Sequence, residues 1–468
     1  MERTKKLISN SIIFTSGNIG SKLIAFLMVP LYTYTLSSSE FGQVDVLITT
    51  VNLLLPIATL SIFDAVFRFS MDRNVDNTAI LTSGLIVTVF LAFMGMFFYP
   101  VLVFANIPHT LYFILILVTT SLFTLIQNFS RAIGKSKLYA TSGIVNGFMF
   151  ATLNILFLVI LKIGIIGYLL AYLLSLICAT IYVSLMLKIW RYIKINSFSL
   201  SIVKQMLRYS IPLIPNSLAW WFTNDASRFF ILAYVGVAGN GIFAVANKIP
   251  SLLNMMFNIF TQAWQISAVE EYDSKDSSLY YSSIFNTLQS FLFLVIGGIL
   301  IVIKPILQFV ISSDFPNVWK FVPILLFSAV FANLSAFLGT VFLAAKKTSG
   351  LFTTTVVGMV INITISWILT PYLGINGTSL GGAIGFCIVM LVRLNSINKY
   401  IHVQVDWFIF TLSMISTILM SYAIYLSGLY QYLFMGIGFA ILLISNFSVI
   451  KSTYSLLKNF RAKKNNVD

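Results

Sequence analysis

The sequence predicts an all-α, polytopic membrane protein of about 14 transmembrane helices. These form two six-helix bundles related by a pseudo-two-fold axis along the membrane normal, plus two C-terminal helices. Three observations carry that reading. Hydrophobic residues make up 58% of the 468-residue chain and charged residues only 9%, against about 45–50% and about 25% in soluble proteins. So few charges could not cover a water-exposed surface. Next, fourteen apolar stretches have about the 20 residues that a helix needs to cross a bilayer. Finally, the basic residues alternate from one side to the other along the chain. No alternating barrel pattern is present, so helices must satisfy the backbone in lipid.

The spans are read at 11–36, 43–67, 80–105, 111–131, 138–161, 164–187, 209–236, 241–266, 280–303, 320–345, 349–372, 375–393, 407–428 and 430–450. The first follows a basic N-terminus (Arg3, Lys5, Lys6) and is too long for the apolar core of a signal peptide, so it reads as an uncleaved first helix. With the N-terminus inside, 23 of the 29 Lys and Arg fall in inner segments, while the outer segments hold three, Lys162, Lys304 and Lys320. This is the positive-inside pattern. It predicts a multi-pass protein of the cytoplasmic membrane with both termini cytoplasmic. It also explains the net charge of +15 without a nucleic-acid partner. Two cysteines inside spans and two histidines in connecting segments supply no metal site. No phosphate-binding GxxxxGK[ST] motif and no Ser/His/Asp constellation is present, so no enzyme activity and no cofactor is expected. Drive must come from an ion gradient such as protons or sodium, from the membrane potential, or from the substrate gradient.

The most basic inner segment, 188–208, divides the chain after six spans, and the two sides resemble each other. At an offset of 199, Lys5 matches Lys204, Ser11 matches Ser210, Gly42 matches Gly241, and Leu53-Leu54 matches Leu252-Leu253. At an offset of 210, Lys137 matches Lys347, and Gly164-Ile165-x-Gly167 matches Gly374-Ile375-x-Gly377. The predicted organisation is therefore an N-terminal bundle (1–187), a basic cytoplasmic linker (188–208), a C-terminal bundle (209–406), and two additional helices with a basic tail (407–468). Both bundles have an even number of spans and hence one orientation. A transport site is expected between the copies.

Charge inside a bilayer costs at least about 2.5–3.5 kcal/mol on insertion scales. It concentrates here in spans 1, 2, 7 and 8: Lys22, Asp45, Asp64, Asp225, Arg228 and Lys248, with Arg68 at the inner end of span 2. Asp225 and Arg228 are three apart and share a helix face. They read either as a self-neutralising pair or as part of a transport site. Lys248 stands two residues before Pro250, where a kink would free backbone groups; the alternative is that it snorkels outward. Asp45 is expected at the interface, without a cavity role. Asp64 and Arg68, four apart, could pair with each other. The proline residues Pro30, Pro56, Pro212 and Pro215 fall in the same charged spans.

The run from Ser9 to Phe69 resembles the start of polysaccharide (O-antigen/capsule-type) flippases of the multidrug/oligosaccharidyl-lipid/polysaccharide exporter superfamily. The matching elements are Gly17–Lys22, Pro30-Leu31, Glu40-Phe41-Gly42 and Arg68. In the second half they are Asn224-Asp225-x-x-Arg228, the stretch Gly241–Lys248, and Gly374-Ile375-x-Gly377. The resemblance implies transport of an undecaprenyl-pyrophosphate-linked oligosaccharide by alternating access, with polysaccharide polymerase and glycosyltransferases as partners. It implies that Lys22, Arg228, Lys248 and Arg68 meet the substrate, that Asp64 and Asp225 serve ion coupling or structural pairing, and that 407–450 help form a groove for the lipid tail. The alternatives are a cation-coupled multidrug antiporter, a peptidoglycan-precursor flippase, and a non-transporting scaffold.

Overall fold

The computed structural model describes residues 24–451 apart from 25, 73–75, 346, 448 and 450. Lys22, Gly17 and Gly20 therefore lie outside the described residues. The described chain is all-helical, with no strand. Nine of its helices are long and apolar enough to cross a membrane, and two shorter apolar helices, Trp407–Ala423 and Leu429–Ser445, follow them. By backbone contacts the chain forms two compact units, Met1–Ala244 and Val245–Asp468.

In the first unit the helices are α1 (Val29–Thr35), α2 (Ser38–Ala58), α3 (Ile62–Phe69), α4 (Asn77–Met96), α5 (Tyr99–Phe104), α6 (Thr110–Ala132), α7 (Ser136–Asn154), α8 (Gly164–Leu187), α9 (Leu200–Ser210), α10 (Ile214–Asp225), α11 (Ser227–Tyr234) and all but the last two residues of α12 (Val237–Ala246). A capping box opens α2: Ser37 Oγ accepts from Glu40 N at 3.2 Å, and Glu40 Oε2 accepts from Ser37 N at 2.9 Å. The Glu40 of the Glu-Phe-Gly triplet thus fixes where span 2 begins. The same span breaks two residues past Pro56. Leu60 and Ser61 both take left-handed backbone angles, with φ of 49° and 50°, and Ser61 N donates to Pro56 O at 2.9 Å. Span 7 breaks at Ala226, and span 8 is interrupted at Asn247, three residues before Pro250. Pro250 sits in the first turn of the helix that follows, where its missing N–H costs little. Three of the interrupted spans, 2, 7 and 8, are ones in which the sequence concentrates charge and proline; the uncharged span 3 is interrupted as well, at Phe97–Phe98 before Pro100. In lipid, broken backbone is tolerated where protein or a cavity surrounds it.

The segment 188–208 is docked on the first unit. Thr82 Oγ1 accepts from Lys194 N at 3.1 Å and donates to Tyr192 O at 3.3 Å, and Ser199 N donates to Ser83 Oγ at 3.3 Å. Helix α9 inserts Met206 among Ile62, Val66, Leu81, Leu125 and Phe129, all buried. Ser201, Lys204, Gln205 and Arg208 are exposed on the other face. This 3.6-residue periodicity makes a basic segment into a surface-lying amphipathic helix.

The second unit contains α13 (Lys248–Glu270), α14 (Ser277–Val310), α15 (Val322–Ala344), α16 (Thr348–Leu373), α17 (Ile375–Ile397), α18 (Trp407–Ala423) and α19 (Leu429–Ser445). Gly377, Gly381 and Gly385 form a stripe on α17. A Cβ at any of them would crowd Leu369, Ser366 or Asn362 of α16, so the glycines permit the close helix approach that packing in lipid uses. Trp264 stacks on Phe337 with centroids 4.7 Å apart and donates to Thr340 Oγ1 at 2.9 Å. The two C-terminal helices are packed onto α14: a Cβ on Gly297 would strike Leu442, and Lys304 Nζ donates to the Ile424 and Leu426 carbonyls at 3.0 and 3.3 Å.

Arg393, an inner-end residue by sequence, is folded into the interior and only 6% exposed. It donates to Ser335 O (2.7 Å), Thr354 Oγ1 (3.0 Å) and Thr355 Oγ1 (2.9 Å), tying α15, α16 and α17 together. No carboxylate pairs with it among the described residues. Arg393→Ala leaves a cavity and unpaired acceptors, and should cost about 2–4 kcal/mol. Arg393→Met keeps most of the volume and removes the buried charge, so it should cost clearly less. Thermal unfolding in detergent separates the two; equal losses would show that hydrogen bonding, not volume and charge burial, sets the cost.

Candidate functional site

The candidate site lies in the first unit, where α2 crosses α12. A Cβ on Gly42 would overlap the Val237 carbonyl oxygen, and one on Gly241 would overlap the Ser38 carbonyl oxygen. The two contacts mirror each other. Ser38 and Gly42 stand 199 positions before Val237 and Gly241, the offset that relates the two halves in the sequence. Repeat-equivalent residues therefore touch one another, as residues on a two-fold axis must.

Charge breaks this symmetry. Asp45, one turn beyond Gly42, has Ala244 as its repeat equivalent. Arg228 of α11 donates from Nε to Asp45 Oδ2 at 2.7 Å and from Nη1 to Asp225 Oδ1 at 2.6 Å. Asn240 Nδ2 adds bonds to Asp45 Oδ2 at 3.2 Å and to Gly42 O at 3.3 Å. The Phe243 ring lies 5.7 Å from the guanidinium carbon. The helix break at Ala226 sets the geometry. It places Asp225 at the C-terminal end of α10, where a carboxylate meets the negative end of the helix dipole, and Arg228 in the first turn of α11, within reach to offset it.

Two carboxylates around one guanidinium leave a local charge of −1. The side chain of Arg228 is 12% exposed and that of Asp225 36%, so the triad is shielded but reachable from its Asp225 side. Trp221 anchors the same crossing by donating Nε1–H to Thr49 O at 3.2 Å. The other face of α2 lines a largely apolar pocket of about 540 Å³ with Gln43, Leu47, Thr50, Phe229 and Leu232. His109 closes one side of it, 3.3 Å from Gln43 Oε1.

The structure brings Asp225 and Arg228 together and adds Asp45, expected at the interface, and Asn240, which the sequence reading did not single out. Asp45 is a full member of the triad, not an isolated interfacial acid, and Asn240 is its neutral partner. The signal for Asp45 was its position three residues after the repeat glycine Gly42, on the same helix face. Arg68 lies apart. It pairs with Asp72 at 2.6 Å on an exposed surface, both side chains about half accessible. Asp64, in the first turn of α3, makes no ion pair with the described residues. Lys248 opens α13 in the second unit. No cluster of metal-ligating side chains occurs among the described residues.

Residues 7–265 match the family model described as polysaccharide biosynthesis protein. The chain belongs to this family. Comparison with curated protein sequences gives no match. Among solved structures, the lipid II flippase MurJ in an inward closed conformation is similar at a TM-score of 0.69 and 14% identity, covering 94% of this chain and 100% of that one. An outward-facing multidrug resistance MATE transporter of the MOP superfamily is similar at 0.59 and 15%, covering 89% and 96%. The Vibrio cholerae MATE transporter VcmN is similar at 0.58 and 13%, covering 84% and 97%. At these identities the likeness is one of fold. This member of the polysaccharide biosynthesis family shares the fold of these proteins, and nine of its described helices are long and apolar enough to cross a membrane.

Arg228→Ala leaves Asp45 and Asp225 facing each other without a counter-charge. Breaking a shielded pair in this way costs about 3–5 kcal/mol, so its unfolding temperature in detergent should fall markedly. The triple change Asp45→Asn, Asp225→Asn, Arg228→Gln removes every charge together and should recover most of that loss. A triple variant as unstable as the single one would show that the charges are not coupled.

Proposed function

We propose that the protein is a flippase that moves an undecaprenyl-pyrophosphate-linked oligosaccharide repeat unit from the inner to the outer leaflet of the cytoplasmic membrane, by alternating access, for polysaccharide biosynthesis. Membership of the polysaccharide biosynthesis family supports the glycan class, and the MurJ-like fold supports a lipid-linked cargo. The observation in this chain that carries the reading is Arg228, a shielded guanidinium held at a helix break by two carboxylates. A pyrophosphate is a stronger bidentate partner for a guanidinium than a single carboxylate oxygen is. Substrate would displace Asp45 and Asp225 from Arg228. Because Asp45 belongs to α2 and Arg228 to α11, that exchange would also release the α2 crossing.

The carboxylates so freed need a counter-charge. The surplus negative charge of the triad supports uptake of a proton or sodium ion at Asp225 as the coupling step. Lys22, Lys248 and Arg68 remain proposed substrate contacts on the family resemblance. The six-helix halves 1–187 and 209–406, joined by the basic linker 188–208, would be the moving bodies, with the termini cytoplasmic, and 407–450 would serve the lipid tail. Polymerase and glycosyltransferases would be its partners in the membrane.

The test is reconstitution into sealed vesicles loaded with an undecaprenyl-pyrophosphate oligosaccharide. Translocation is read by exposure of the glycan to an impermeant lectin. The wild-type chain should flip the lipid, and Arg228→Gln should lower the rate at least about tenfold, the worth of one charge-assisted hydrogen bond. Transport of a peptidoglycan precursor without the oligosaccharide lipid, or of organic cations with neither, would overturn the proposal.

A further inference from the structure

Two of the three lysines that the charge count assigns to the outer face converge on one tryptophan. Lys304 Nζ lies 4.8 Å and Lys320 Nζ 5.4 Å from the centroid of the Trp319 ring. Neither forms an ion pair among the described residues. Lys304 is committed to the Ile424 and Leu426 carbonyls and, at 3.1 Å, to Gln431 Oε1. These acceptors are neutral, so its charge is uncompensated. Lys320 lends its carbonyl to Tyr425 Oη at 2.6 Å, while its ammonium makes no hydrogen bond to a described residue.

The same Tyr425 lines an apolar groove of about 500 Å³ between α15, α17 and α18, with Pro323, Phe327, Ile384, Ile418 and Tyr422. Pro323 follows Lys320 by three residues, so the cations stand at the mouth of this groove. Ile384, Ile418 and Tyr422 are 37%, 50% and 60% exposed, so the groove is open to the side. Trp319, Tyr422 and Tyr425 are the residue types that mark a membrane–water interface.

We infer that this groove is a binding site for an anionic phospholipid of the surrounding outer leaflet, with the headgroup phosphate at Lys320 and Lys304 and an acyl chain along α15 and α18. The occupant follows from complementarity. Two uncompensated ammoniums at an interface call for an anion. An apolar groove beside them, open to the side, calls for a chain attached to that anion. A bulk bilayer lipid reaches a laterally open groove from high local concentration. The groove shares α18 with the segment proposed for the transported lipid's tail, so the test separates the two lipids.

The test is native mass spectrometry of the full-length protein titrated with phosphatidylglycerol or phosphatidylethanolamine of matched chains. The wild-type protein should retain phosphatidylglycerol in preference. Lys320→Gln is partly exposed and should fold normally; it should weaken phosphatidylglycerol binding about fivefold, the worth of one lysine at a charged lipid surface, and leave phosphatidylethanolamine unchanged. Ser421→Trp, on the groove wall, should weaken phosphatidylglycerol without altering monodispersity. Equal retention of the two lipids by the wild type, or an unchanged preference in Lys320→Gln, overturns the inference. So does dependence on Lys320 for undecaprenyl phosphate but not for phosphatidylglycerol, which would assign the groove to the transported lipid.

Discussion

The close crossing of α2 and α12 at Gly42 and Gly241 is the constraint on which the candidate site depends. Only because neither residue has a Cβ can Ser38 and Val237 bring their carbonyls onto the opposite glycine. That proximity carries Asp45 within 2.7 Å of Arg228 and lets Asn240 reach both Asp45 and the Gly42 carbonyl. A larger residue at either position would separate the helices and leave a charge in a low-dielectric setting without its partner, where such charges are most expensive.

The crossing also shows where the chemistry departs from the matched positions. The backbone contacts at the crossing mirror each other, Gly42 against the Val237 carbonyl and Gly241 against the Ser38 carbonyl. The side chains one turn away do not: Asp45 stands opposite Ala244, and Trp221 occupies the position equivalent to Lys22. Symmetry supplies the pivot, and departures from it supply the ion triad. The helix breaks at Ser61, Ala226 and Asn247 lie in the spans that carry these departures. In these spans irregular backbone and intramembrane charge coincide, and each is tolerated where surroundings other than lipid are at hand.

The second unit handles buried polarity in a different way. Arg393 is satisfied by hydroxyls and a carbonyl, and Lys304 by carbonyls and an amide. Both cations join helices, α15 with α16 and α17 in one case and α14 with the C-terminal pair in the other. Removing 407–450 would strip Lys304 of its acceptors and bare Gly297. A substitution inside the groove therefore reports on lipid handling more cleanly than a truncation does.

By itself the sequence determined the membrane class, the helical architecture, and the spans in which charge is concentrated. These follow from composition and periodicity, which lipid enforces along the whole chain. It also placed Asp225 and Arg228 on one face, because a three-residue spacing within a helix is local. What it left undecided was long-range pairing. Arg68 finds Asp72, four residues on, and not Asp64, because α3 ends at Phe69 and exposes its last turn. Asp45 finds Arg228 across 183 positions because two glycines let two helices touch, and the basic stretch 188–208 docks through Thr82 and Ser83 of α4. Such partners are fixed by which helices cross and how closely. That depends on the packing of the folded chain, and no pattern along one helix records it.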